Sequence, residues 1–158
     1  MQQQSCASRV AALAALAVLT CLPTAWAGDT ATHNAALVAE AFEDWRAGTG
    51  NVFDLLAEDA VWTVAGDSPV SGTYKTREAL MTQAVLPIHA RLATPITPQV
   101  NTIVAQGDDV VVFWDGVATA RDGSPYENSY AWHLTLAGGE IIRVTAFLDT
   151  WRLHALME

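Results

Sequence analysis

Positions 126–136 alternate two kinds of side chain. Tyr126, Asn128, Tyr130, Trp132, Leu134 and Leu136 fall on one parity, and Glu127, Ser129, Ala131, His133 and Thr135 on the other. On an extended strand this puts two phenols, an amide and an indole among aliphatic residues on one face. Such a face suits a pocket that holds and orients a small, mostly apolar molecule. The competing reading makes Tyr130 and Trp132 core aromatics whose polar tips reach backbone groups. If Gly138-Gly139 is a two-residue turn, Ala137 pairs with Glu140; Asn128 then faces Asp149, Tyr130 faces Phe147 and Trp132 faces Thr145. A carboxylate, an amide and a phenol would share one face of one hairpin. A carboxylate among aromatics is partly desolvated, which raises its proton affinity and fits it for general acid or base work. A one-residue change in that turn sends Asp149 to the other face, and the residue could instead bond a helix end or a Trp.

Asp115 is the second acid. With Asp122-Gly123 as a two-residue turn it pairs with Tyr130 and enters the same face; with Gly123 in a bulge, Trp114 enters instead and leaves Asp115 a structural or interface residue. The second arrangement is preferred, and Trp62 is expected to wall the pocket in either. No metal is expected, because His33, His89, His133 and His154 are scattered and lack spaced carboxylate partners. No cofactor is expected either: there is no phosphate-binding Gly loop, no Gly-x-Ser-x-Gly and no cysteine placed as a nucleophile.

The elements that must position these residues follow from periodicity. Thr32 can cap a helix from about His33 to Ala47, whose apolar Leu37, Val38, Ala41, Phe42 and Trp45 make one stripe, ended by Gly48-Thr49-Gly50. A short helical segment, Val52–Leu56, leads to a strand, Ala60–Ala65. A helix from Arg77 to Arg91 follows Thr76 and is bent or ended by Pro87. From Pro95 the pattern turns to strands: Ile96–Gln106, Val110–Ala120, Tyr126–Leu136 and Ile141–Trp151. They are broken at Gly107-Asp108, Asp122-Gly123 and Gly138-Gly139, so the sheet should be mainly antiparallel. The fold class expected is α+β, a cone-shaped barrel with three N-terminal helices packed on a curved sheet.

The chain has 158 residues, a net charge of −9 and two cysteines. Residues 1–27 read as a cleaved secretory leader: Arg9 is its only charge, an apolar run follows from Val10 to Leu19, and Ala25-Trp26-Ala27 is a small-x-small cleavage pattern. The run is too short for a membrane span, so no stable membrane insertion is expected after cleavage following Ala27, and the product would be periplasmic or secreted. Both cysteines, Cys6 and Cys21, fall in the leader, Cys21 being a less favoured site for lipid attachment. The remaining domain, 28–158, keeps seven Lys/Arg against 17 Asp/Glu, a net charge of −10. That balance argues against nucleic acid as a partner.

Several segments together resemble the SnoaL-like branch, related to ketosteroid isomerase, of the nuclear-transport-factor-2-like (NTF2-like) superfamily. They are Leu55-Leu56-Ala57-Glu58-Asp59-Ala60-Val61-Trp62, Gly66-Asp67-Ser68-Pro69-Val70-Ser71-Gly72-Thr73-Tyr74, Trp114-Asp115-Gly116, Asp122-Gly123-Ser124-Pro125-Tyr126, Asn128-Ser129-Tyr130-Ala131-Trp132 and Phe147-Leu148-Asp149-Thr150. The resemblance implies the cone-shaped fold, a homodimer in many similar proteins, and a pocket aspartate of the polyketide-cyclase kind at Asp149. It does not imply steroid isomerisation. That chemistry needs a base on the first strand, a tyrosine and a protonated aspartate, and the positions aligned with them hold Val64, Ala41 and Ala131. Nor is the Asp-Arg-Asp set of limonene epoxide hydrolase evident, although Arg143 and Asp149 share parity.

Two functions remain in balance. One is cofactor-free acid/base catalysis (isomerase-, cyclase- or dehydratase-like) on a small apolar or aromatic molecule. Asp149 would transfer the proton, Asn128 and Tyr130 would polarise an oxygen, and Trp62, Trp114, Trp132, Tyr126 and Phe147 would shape the cavity. The other is a non-catalytic binding or dimerisation module that uses the same residues as grip.

Overall fold

Val38, Ala41 and Phe42 are buried along one face of helix α1 (Trp26–Ala47), with Trp45 packed at the end of the same stripe. The fold is that of a computed structural model, which describes the backbone of residues 26–158 and side chains from Asp29. The expected leader and both cysteines lie outside the described residues, except for the backbone of Trp26 and Ala27, which opens α1. The helix therefore begins before Thr32, which lies within it and is not its cap. Gly48, at φ 74°, ends it in the left-handed conformation expected just past a helix.

After a 3₁₀ turn at Val52–Leu55 come β1 (Leu56–Val64) and the short β2 (Gly72–Tyr74). Thr76 caps α2 (Arg77–Leu80) by accepting from the Ala79 amide at 3.0 Å. The helix then widens into a π turn at Met81–Val85 before α3 (Leu86–Arg91). Pro87 lies just beyond the widened turn, and a proline has no N–H and crowds the carbonyl four residues back. The expected single bent helix is thus three joined pieces.

The sheet runs β2-β1-β6-β5-β4-β3, with β3 (Thr97–Gln106), β4 (Asp109–Thr119), β5 (Pro125–Ala137) and β6 (Glu140–Leu148) as an antiparallel meander and β1 parallel to β6. It is a mixed, mostly antiparallel curved sheet with helices packed on one face, the expected α+β cone. Along β5 every even residue from Tyr126 to Leu136 is buried. Among the described residues no helix is long and apolar enough to cross a membrane.

Two expected registers come out differently from each other. At Asp122-Gly123, Gly123 takes φ 88° and Trp114 pairs with Tyr130, so the preferred bulged arrangement holds and Asp115 pairs with Ser129 on the outer face. At Gly138-Gly139 the two-residue turn and the Ala137–Glu140 pair are present, but β6 carries an extra residue at Ile142. The regular register would have set Arg143 opposite Leu134, which is fully buried. An unpaired buried guanidinium costs far more than a bulge. With the bulge, Val144 fills that place and every pair beyond it slips by one: Tyr130 faces Leu148 and Trp132 faces Ala146.

The expected positions of Phe147 and Asp149 are corrected by the same slip. Phe147 pairs with Ala131 on the outer face and is 52% exposed, so it does not wall the pocket. The strand stops at Leu148, short of Trp151, and Asp149 caps a further helix, α4 (Thr150–Met157). Aspartate is among the strongest capping residues, and its carboxylate accepts from the amides of Trp151 and Arg152, both at 3.1 Å.

Candidate ligand pocket

The inner face of β5 and the helices across it enclose a cavity of about 310 Å³, within the range of small-molecule sites. Its floor is aromatic. Trp132 stands edge-on between Trp62 of β1 and Trp114 of β4, with ring centroids 4.7 and 4.8 Å away at 84° and 81°. Tyr130 lies flat on Trp114, centroids 3.9 Å apart and planes 6° from parallel. Phe42 packs behind these rings, and Trp45 and Phe53 pack against them while lining the cavity themselves. Edge-to-face contacts add to the area that aromatic rings bury, so the floor is stiff as well as apolar.

Gly116 makes the flat stack possible. A Cβ there would meet Trp114 at 2.9 Å, Ile96 at 3.0 Å and Tyr130 at 3.1 Å. Trp114 and Trp132 bury their indole nitrogens without a hydrogen-bond partner.

The polar part of the pocket is a short hydrogen-bonded line. The Tyr126 and Tyr130 hydroxyls meet at 3.0 Å, and Asn128 Nδ2 donates to the Tyr126 hydroxyl at 3.2 Å. Asn128 also holds the backbone of Asp149, donating to its carbonyl at 3.0 Å and accepting from its amide at 3.1 Å. With both polar atoms engaged, Asn128 does not line the cavity, and the expectation that it polarises a ligand directly is corrected. It acts through Tyr126. Either hydroxyl of the Tyr126–Tyr130 pair can be the donor; with Tyr126 donating, the Tyr130 proton is left to point into the cavity. Burial, reinforced by Tyr126, pushes the Tyr130 phenol well above the ordinary tyrosine range. Tyr130 is therefore a protonated phenol at the wall of a mostly apolar cavity.

Among the described residues, no carboxylate lines this cavity. Asp149 and Asp115 instead border a polar hollow on the other side of β5, together with Glu127 and Arg152. Asp115 accepts from Asn101 at 2.8 Å and Ser129 at 2.6 Å. These bonds hold its carboxyl below the usual range, opposite to what a general acid needs. Among the described residues no three His, Cys, Asp or Glu side chains group as a metal site.

Of the residues expected from the sequence, Trp62, Trp114, Tyr126, Tyr130 and Trp132 line one cavity; Asn128, Asp115, Phe147 and Asp149 do not. Sequence reasoning missed the opposite wall, made by Tyr74, Gln83 and His89 from the β2–α3 connection and by Leu153 and Met157 from α4. The signal for α4 was present: Asp149-Thr150 is a capping pair, and Leu153 and Met157 follow it at helical spacing. Nothing local marks Gln83 or His89, which arrive by tertiary packing.

The SnoaL-like domain family matches residues 30–144. Among solved structures, Bal32a from a soil-derived mobile gene cassette superposes with a TM-score of 0.67 at 19% identity, covering 82% of this chain and 99% of its own. An NTF2-like protein of Burkholderia thailandensis gives 0.63 at 19%, covering 79% and 97%. TerC, co-crystallised with polyporic acid, gives 0.63 at 18%, covering 78% and 97%. At these identities the likeness shows the fold. A comparison with curated protein sequences gives no match.

Proposed function

The chain belongs to the SnoaL-like domain family, and from that premise we propose that it binds a neutral, flat, mostly apolar molecule through one acceptor oxygen that takes its hydrogen bond from Tyr130. The observation that carries this reading is a protonated phenol, paired on one side with Tyr126, in a mostly apolar cavity with an aromatic floor and, among the described residues, no carboxylate in its lining. An apolar wall supplies affinity in proportion to area, and a single donor supplies orientation. A donor of this kind also draws charge onto a carbonyl oxygen, which is the start of cofactor-free proton-shift chemistry. His89 lines the same cavity, and an imidazole can both accept and donate a proton. It is the group we assign to proton transfer in place of Asp149, whose carboxylate caps α4. TerC was crystallised with a small molecule, and a neighbour from Rhodopseudomonas palustris is described as a putative isomerase, both in keeping with this reading.

The test uses an isosteric pair, 2-acetylnaphthalene and 2-isopropylnaphthalene, followed by quenching of tryptophan fluorescence. The ketone should bind about tenfold tighter, the value of one well-made hydrogen bond. Tyr130→Phe should abolish that preference while leaving hydrocarbon binding unchanged. Equal binding of the pair by the unsubstituted protein, or no binding of either, would overturn the proposal.

The outer sheet face carries a second part of the reading. Phe113 and Phe147 stand 46% and 52% exposed in one row across β4, β5 and β6, on either side of Ala131. Exposed rings in a row mark an interaction surface, and we assign it to a second copy of the chain. Export of the protein after cleavage at Ala27 belongs to the same proposal and rests on the leader pattern alone.

A further inference from the structure

Helix α4 is eight residues long, a length at which an isolated helix is marginal in water. It exists through its cap and its seat. Leu153 is buried and Met157 partly so, both against the cavity, while Trp151 on the same helix is 66% exposed. Among the described residues, its polar tethers to the sheet converge on two neighbouring positions of β5. Arg152 Nη1 donates to the Glu127 carbonyl at 3.0 Å, and Asn128 grips the Asp149 backbone at both its carbonyl and its amide.

Asn128 is 4% exposed, and its amide nitrogen serves two masters. It donates to the Asp149 carbonyl, at the root of α4, and to the Tyr126 hydroxyl, which meets that of Tyr130. An unbroken hydrogen-bonded line thus joins the pocket donor to the residue that starts one pocket wall. We infer that α4 is a releasable wall of the pocket and that Asn128 is its latch, a positioning residue that couples seating of the helix to occupancy of Tyr130. With Tyr126 donating to Tyr130, an acceptor hydrogen-bonded to the Tyr130 hydroxyl makes the Tyr130 oxygen a better acceptor for Tyr126 and Tyr126 in turn for Asn128. The Asn128 amide oxygen then accepts more strongly from the Asp149 N–H; the bonds of such a chain strengthen one another. The coupling is reciprocal, so a seated α4 raises affinity for an acceptor ligand by the factor by which that ligand steadies α4. Release costs only local unfolding, since the helix contributes two side chains, Leu153 and Met157, to the wall.

Hydrogen–deuterium exchange of the purified full chain tests the latch without a ligand. Asn128→Ala should accelerate exchange of residues 150–157 about tenfold, from loss of two hydrogen bonds, while the amides of β4 and β5 keep their protection. Wild-type exchange in 150–157, or equal acceleration throughout the chain, would overturn the inference. Should that variant not fold, Arg152→Ala decides: its exposed side chain removes the outer tether, and 150–157 should still exchange several-fold faster, with no change counting against a releasable wall. The ligand arm rests on the reading of Tyr130 given above. Saturating 2-acetylnaphthalene should slow exchange of 150–157 several-fold more in the unsubstituted protein than in Tyr130→Phe, where only the apolar contacts of Leu153 and Met157 remain; equal slowing in both would refute the coupling. Failure of the ketone to bind would count against the pocket reading alone, because the ligand-free arm still decides the latch.

Discussion

Replacing Gly116 with Ala probes the packing that holds Tyr130 in place. The added Cβ would lie 2.9 Å from Trp114 Cζ3, 3.0 Å from Ile96 Cγ2 and 3.1 Å from Tyr130 Cε2. Each gap is several tenths of an ångström short of ordinary contact. None of the three neighbours can swing clear. Trp114 is 1% exposed and ringed by Phe42, Trp45 and Trp132, and Tyr130 is stacked on its face. Overpacking of this kind costs about 1–3 kcal/mol. Against it stands the loss of unfolded-chain freedom when Gly becomes Ala, worth about 0.4–1 kcal/mol; that gain applies because Gly116 is not among the glycines at positive φ. The net expectation is a loss of about 1–2 kcal/mol, read as a lower urea midpoint at unchanged slope. Because Tyr130 must shift to make room, ketone binding should weaken more than hydrocarbon binding. A variant as stable as the parent, with the ketone preference intact, would refute the claim that Gly116 sets the Trp114–Tyr130 stack.

Three further expectations follow from the same geometry. Tyr130 is raised above its unfolded range, so the stability it confers is complete below about pH 10 and falls as pH rises beyond; Tyr130→Phe should flatten the alkaline limb of a denaturation series, and an unchanged limb would contradict the assignment. Asp149→Asn keeps a capping oxygen and the backbone that Asn128 grips, so stability should change by less than about 0.5 kcal/mol and ketone binding not at all; a tenfold loss of binding would return the carboxylate to the pocket chemistry. Phe147→Glu, opposite Ala131 on the outer face, should leave the fold intact and convert a dimer to a monomer by light scattering, while a parent that is monomeric at high concentration would remove the second copy.

Much of the cone could be read in the chain because its strongest signals are local. Alternation from Tyr126 to Leu136 named the buried face of β5, and the Gly-containing turns named the meander. What escaped was set by pairings between distant residues. The bulge at Ile142 exists to keep Arg143 from facing Leu134, and that conflict is visible only once the two strands are laid side by side. It moved Phe147 outward, while the strand ends before Asp149 because that residue caps α4. The parallel pairing of β1 with β6 and the arrival of Gln83 and His89 at the cavity depend on how the connection through α2 and α3 folds back, which no short window records. The capping reading of Asp149 was legible beside the catalytic one; the register decided between them.

The carbonyl stretch of bound 2-acetylnaphthalene, labelled with ¹³C at the ketone, reports directly on whether Tyr130 donates to a ligand. Difference infrared spectra of the complex should show that band at lower frequency than the ketone has in a hydrocarbon solvent, and Tyr130→Phe should return it to the hydrocarbon value. A band at the hydrocarbon frequency in the unsubstituted protein, or one that Tyr130→Phe leaves unmoved, would contradict the account.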